Sequence, residues 1–122
     1  MPERKRLFMK ILKAELEDCL EDVEDLENLY ERRLLKNDVT NYVYNENEAL
    51  LKRELNGIRK ALDSLEFINI DTYENVDALA AAVDAVIQKK VQEYEDPEAV
   101  YQIAKRKLLK VLRYVNEGTN QY

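Results

Sequence analysis

Seven residues in the first third of the chain, Met9, Leu12, Leu16, Cys19, Val23, Leu26 and Tyr30, follow one another at steps of three and four. That spacing keeps one side of an α-helix apolar over its whole length and calls for other helices packed lengthwise against it. Leu20, Leu29, Leu34 and Leu35 widen the stripe at intervals, as a helix inside a bundle requires. The first helix is therefore predicted over Glu3–Lys36, with its seam inward. Glu17, Asp18, Glu21, Asp22, Glu24, Asp25 and Glu27 are expected on the outer face.

The same periodicity returns three times. Leu51, Leu55, Ile58, Leu62 and Leu65 mark a second helix. Its start is open, because Asp38, Thr40 and Asn45 can each serve as N-cap. Tyr42-Val43-Tyr44 is thus either a first helical turn or loop. Gly57 lies inside this helix, where glycine costs about 1 kcal/mol relative to alanine. It marks either a close helix crossing or a tolerated cost on an exposed face. Phe67-Ile68-Asn69-Ile70 breaks the period and reads as a loop whose apolar side chains cover one end of the bundle. Asp71, with Glu74 three residues on, then caps a third helix over Thr72–Tyr94. Val76, Leu79, Ala80, Val83, Val86, Ile87 and Val91 form its apolar face, and Ala80-Ala81-Ala82 leaves room for a neighbour to approach. Glu95-Asp96-Pro97-Glu98 punctuates the chain most clearly, with Asp96 as N-cap and Pro97 in the first helical position. A fourth helix runs from there to about Asn116, with Tyr101, Ala104, Leu108, Val111 and Val115 inward and Gly118 at its stop.

Four helices on short connections give an all-α, antiparallel four-helix bundle of up-down-up-down order with a long first helix. One domain over residues 1–118 and a loose tail, 119–122, account for all 122 residues. The two glycines and two prolines leave little turn chemistry for a β protein. An apolar fraction of 46% keeps the chain globular although 36% of it is charged.

Composition narrows function mainly by exclusion. With no histidine and one cysteine, neither an internal disulfide nor a zinc site of Cys and His can be built. Triads that need histidine, inward Glu-x-x-His di-iron pairs and small helical RNases whose motif ends in histidine fall with them. No glycine-rich phosphate loop is present. Cys19 lies on the seam and reads as a small buried hydrophobe. The formal net charge of −6 argues against general binding to nucleic acid or anionic membrane. The basic and then apolar start, MPERKRLFMKILK, is too short and too charged for a signal peptide, and no run is long enough to span a membrane. A complete, small cytoplasmic protein is expected.

Three surface features carry the remaining chemistry. Glu17 and Glu21 on the first helix and Glu74 and Asp77 at the third offer carboxylates, which suit Mg²⁺ or Mn²⁺. Glu17-Asp18-Cys19-Leu20-Glu21 and Glu74-Asn75-Val76-Asp77 superficially resemble the acidic elements of all-helical nucleotide pyrophosphohydrolases of the MazG type, at a separation much longer than that family's pattern. That resemblance would imply a metal-dependent enzyme; a solvated acidic face is the alternative, and no cofactor is expected with it. Lys105, Arg106, Lys107, Lys110 and Arg113 form a basic cluster on the fourth helix. Arg106, Lys110 and Arg113 stack on one face with Tyr114 nearby, suited to nucleic acid, to an anionic partner or to pairing with the acidic first helix. Tyr42 and Tyr44, together with Phe67, Ile68 and Ile70, are an alternative partner patch. Since the first helix outlasts its neighbours, its overhanging seam favours self-association. The leading expectation is a non-catalytic interaction or adaptor bundle that forms a homo-oligomer with itself and binds a protein partner the sequence does not name. The metal-dependent hydrolase and nucleic-acid binding through the fourth helix are the alternatives.

Overall fold

A computed structural model describes residues 2–93 and 98–118. Four helices carry the fold: α1 (Pro2–Leu35), α2 (Asn41–Leu65), α3 (Val76–Glu93) and α4 (Glu98–Gly118), with a 3₁₀ turn at Ile70–Thr72. No strand occurs among the described residues. The expected cap at Asp96, the first-turn Pro97, the end of the third helix at Tyr94 and the tail 119–122 lie outside the described residues.

The helix ends explain the connections. α1 stops at Asn37, which takes the left-handed conformation with φ 60°. The Asn37 amide donates to the Leu34 carbonyl (3.0 Å) and the Asp38 amide to the Arg33 carbonyl (2.8 Å). This pair of bonds is the Schellman closure, with asparagine in the place glycine commonly takes. Thr40 then caps α2, its hydroxyl oxygen accepting from the Val43 amide at 3.2 Å. That settles the open start: Tyr42-Val43-Tyr44 is the first helical turn and Asn45 is already inside the helix. The expected start of the third helix is corrected. Asn69 accepts from the Asp71 amide at 3.1 Å and closes the 3₁₀ turn, and Tyr73 behind it is extended. Asn75 caps α3 instead of Asp71, accepting from the Ala78 amide at 2.8 Å. The local asparagine bonds win because they satisfy backbone donors that Asp71 would have to reach.

Cross-helix contacts fix the order of the bundle. Lys13 pairs with Glu66 and Glu24 with Arg59, so α2 runs antiparallel to α1. Asp84 meets Tyr101 and Asp77 meets Asn116, which sets α4 antiparallel to α3. Ile11 and Tyr114 share one cleft with Glu15 and Lys110, so α4 also runs antiparallel to α1. The up-down-up-down arrangement follows. Lys5, buried among these ends, donates its ammonium to the Tyr73 carbonyl at 2.7 Å and ties the start of α1 to the approach to α3.

One core runs through all four helices, from Phe8, Leu12 and Leu16 through Ile58 and Leu65 to Leu79, Val83, Val100 and Val111. Cys19 belongs to it and is 7% exposed; burial pushes its thiol pKa up, so the side chain is an inert small hydrophobe. Gly57 sits where α2 packs on α4. A Cβ built there would stand 2.7 Å from Val100 Cγ2, which places the backbone of α2 directly against α4.

Other apolar expectations are corrected. The α1 seam is buried only as far as Val23; Leu26 is 43% exposed and Tyr30 is half-buried. No residue from Glu24 through Leu50 is buried. Leu35 is 78% exposed rather than part of the seam. Glu27, expected on the outer face, is half-buried, and its Oε1 has no hydrogen-bond partner among the described residues. Phe67 does not cover the bundle end but stands 89% exposed, while Ile68 and Ile70 pack against the core.

Gly57→Ala tests the crossing. It gains about 1 kcal/mol of helix propensity, whereas forcing a methyl into a packed site costs ~1–3 kcal/mol. Valine cannot swing its branched carbons aside cheaply, so net destabilisation is expected in urea unfolding. Val100→Ala in the Gly57→Ala background should be less harmful than in the wild type. Strictly additive effects of the two changes would show that the contact is not the reason for glycine.

Candidate functional site

The basic cluster of α4 and its counterpart on α1 form the most organised polar surface. Glu15 is the hub. Its Oε2 lies 3.3 Å from Lys107 Nζ and its Oε1 3.2 Å from Lys110 Nζ. The hydrogen bond from Lys110 holds the Glu15 carboxyl below its ordinary pKa; partial burial opposes this, and Lys107 adds to it. The expected pairing of acidic α1 with basic α4 is thus made by Glu15, which was not among the residues expected on the acidic face. The missed signal is the flank: Glu15 stands one residue before the seam position Leu16, beside the core rather than opposite it.

The rest of the cluster faces outward. Lys105, Arg106, Lys110 and Arg113 are exposed and line one shallow cleft with Gln102 and Leu109. Leu109 is 53% exposed and Tyr114 61% exposed. Lys105 stacks over the Tyr101 ring at 5.6 Å, and the Tyr101 hydroxyl donates to Asp84 Oδ1 at 2.9 Å. Burial and that acceptor both raise the Tyr101 pKa.

The carboxylate candidates are not brought together. Glu17 and Glu21 are exposed along the middle of α1. Glu74 follows Tyr73, whose carbonyl meets Lys5, twelve residues before Glu17. That is about 18 Å along the helix axis. Asp77 accepts from the Asn116 amide at 3.2 Å. Among the described residues no group of three or more Cys, Asp or Glu is arranged to hold a metal ion.

The tyrosine patch also separates. Tyr42 (73% exposed) and half-buried Tyr44 open α2, whereas Phe67 follows its far end. A 25-residue helix puts roughly 37 Å between them. Tyr42 belongs instead with Leu26, Leu35, Val43 and Leu50, all exposed, at the free end of the α1–α2 hairpin. Half-buried Tyr30 carries Arg33 over its ring at 5.8 Å. On the α2 side, Lys52 pairs with Glu48 at 2.8 Å.

No protein-family model, no curated protein and no solved structure matches the chain. Among the described residues no helix is long and apolar enough to cross a membrane.

The Glu15 hub has a defined pH signature. A carboxyl with a lowered folded-state pKa contributes stability that is present above the unfolded value and lost as pH falls through the folded one. Glu15→Gln should cost about 0.5–1 kcal/mol near pH 7, since the group is partly solvated. The difference from wild type should vanish once the pH drops below the ordinary carboxylate range. Urea titrations at both ends of that range read it; a cost that persists in acid would assign the effect to packing rather than charge.

Proposed function

We propose that this chain is a non-catalytic, cytoplasmic association module that forms a homodimer and serves protein–protein contacts as an adaptor. The observation that supports this most is the α1–α2 hairpin, in which no residue from Glu24 through Leu50 is buried while the heptad spacing continues. Leu26, Val43 and Leu50 are 43%, 39% and 46% exposed on it. Apolar side chains kept at coiled-coil spacing without cover are costly to leave in water and favour a partner with the same periodicity. The separated carboxylates give the metal-dependent hydrolase no comparable support.

A second reading, nucleic-acid binding through α4, draws on the cleft of Lys105, Arg106, Lys110 and Arg113 around exposed Leu109. It predicts salt-sensitive retention on a heparin column; passage without delay at low salt would reject it.

Sedimentation velocity tests the leading reading. The wild type should be dimeric at tens of micromolar. Leu26→Asp with Leu50→Asp should be monomeric with an unchanged circular dichroism spectrum, because neither side chain is in the core. A wild type that stays monomeric at every concentration would overturn the reading.

A further inference from the structure

α4 carries a charged stripe that the molecule's own acids leave open. Arg106, Leu109 and Arg113 follow one another at steps of three and four, so they share one side of the helix. All three are exposed, Leu109 at 53%. Neither arginine takes part in an ion pair or hydrogen bond among the described residues, and Glu117, four residues beyond Arg113, pairs with neither. The cations beside the stripe are held. Lys107 and Lys110 reach Glu15 on α1. Lys105 stacks over Tyr101, whose hydroxyl donates to Asp84 on α3. The helices on either side of α4 thus take up the flanking lysines and leave the stripe between them without a partner.

An uncovered leucine between two unpaired arginines has a definite complement. The arginine Cα atoms stand about 10 Å apart along the helix axis. A second helix laid alongside repeats its side chains at the same rise. It can therefore set carboxylate, apolar side chain and carboxylate against Arg106, Leu109 and Arg113 at once. Each guanidinium fork matches a carboxylate through two parallel hydrogen bonds. The apolar side chain takes Leu109 out of water.

Three observations favour such a segment over a nucleic acid. Leu109 stands at the centre of the stripe, where phosphates would leave it uncovered. Tyr114, the exposed aromatic of α4, lines the cleft with Ile11, Glu15 and Val111 instead of the one with Arg106 and Arg113, so the stripe offers no ring for base stacking. Asp22 and Arg106 both lie close enough to Cys19 to act on its thiol, which puts an exposed acid of α1 near the stripe. A strand charged at every step would run within about a Debye length, ~8–10 Å, of that acid. A helix can confine its carboxylates to one side.

Resting on the adaptor half of the proposed function, and independent of self-association, we infer that the α4 stripe docks an acidic amphipathic helix of a partner protein. Carboxylates one heptad apart meet Arg106 and Arg113, and an apolar side chain between them covers Leu109. One helix laid on one helix makes a small, readily exchanging contact.

Fluorescence anisotropy with the full-length chain and labelled peptides of about 20 residues decides it. The matched peptide carries glutamate and leucine at steps of three and four along one side of an alanine–glutamine helix. The control has the same composition with its glutamates on the opposite side. A single-stranded oligodeoxynucleotide of equal charge is the third probe. The matched peptide should bind about tenfold tighter than either, and more weakly as salt rises. Arg106→Glu with Arg113→Glu should weaken it about tenfold. Leu109→Asn should weaken it about fivefold. Circular dichroism and sedimentation of these variants should match the wild type, because all three side chains are exposed. A matched peptide that binds no tighter than the control, an oligonucleotide that binds as tightly, or full affinity in the Leu109→Asn chain would overturn the inference. So would loss of the dimer in the charge-reversed chain, which would assign the stripe to a second copy. A monomeric wild type that binds the matched peptide would support it while removing self-association.

Discussion

A 34-residue helix cannot be covered along its length by neighbours of 18 and 21 residues. At 1.5 Å per residue α1 extends about 51 Å, against about 27 Å for α3. Everything else in the fold adjusts to that mismatch. Over the lower half, where all four helices are present, the seam from Met9 to Val23 is buried and the core is continuous. Among the described residues no side chain from Glu24 through Leu50 is buried over the upper half, where α1 and α2 alone cannot enclose a side chain from every direction. Leucines with the correct spacing there stay partly in water.

The helices themselves were legible in the sequence, because the apolar period acts locally; their caps were not, since the start of α2 stayed open among Asp38, Thr40 and Asn45 and the stop at Asn37 carries no apolar signal. Of the apolar faces read for α3 and α4, every position but half-buried Val86 is buried, because these helices are of similar length and cover one another; Val100, fully buried on α4, was missed. That the seam of α1 overhangs its shorter neighbours was legible; that burial stops at Val23 was not. Periodicity states which way Leu26 and Tyr30 point but not whether a neighbour reaches that height. The role of Gly57 was likewise open until Val100 appeared across from it, because a glycine's neighbour belongs to another helix. The start of α3 was misread for a different reason. Asn69 and Asn75 offered the backbone competing bonds, and the capping pattern of Asp71 and Glu74 carried no information about which would prevail. The site residues fared similarly. Their faces were read correctly for Arg106, Lys110 and Arg113, whereas the hub, Glu15, was identifiable only by its place beside the seam.

Electrostatics in this molecule are segregated rather than mixed. Between Glu15 and Glu31 the chain carries nine acids and no base, and between Ala99 and Asn116 five bases and no acid. Among the described residues only Glu15 joins the two helices through more than one pair. Single contacts such as Lys13 with Glu66 and Arg59 with Glu24 fix the angle of α2 more than they stabilise it. The buried Lys5 ammonium differs: its bond to the Tyr73 carbonyl satisfies a charge held away from water, and losing that acceptor would leave the charge uncompensated.

The Asn37 stop and Thr40 cap close the hairpin with bonds that stay inside the connection, and no residue near them reaches the core. The reach of the molecule is therefore separable from its folding. Seven residues added to α1 and seven to α2 on either side of that connection would move the tip by about 10 Å and return every stripe to the same side. The four-helix half would register no change. The hairpin behaves as an arm whose length can vary in heptads, and descendants of such a chain can diverge in span while keeping one core.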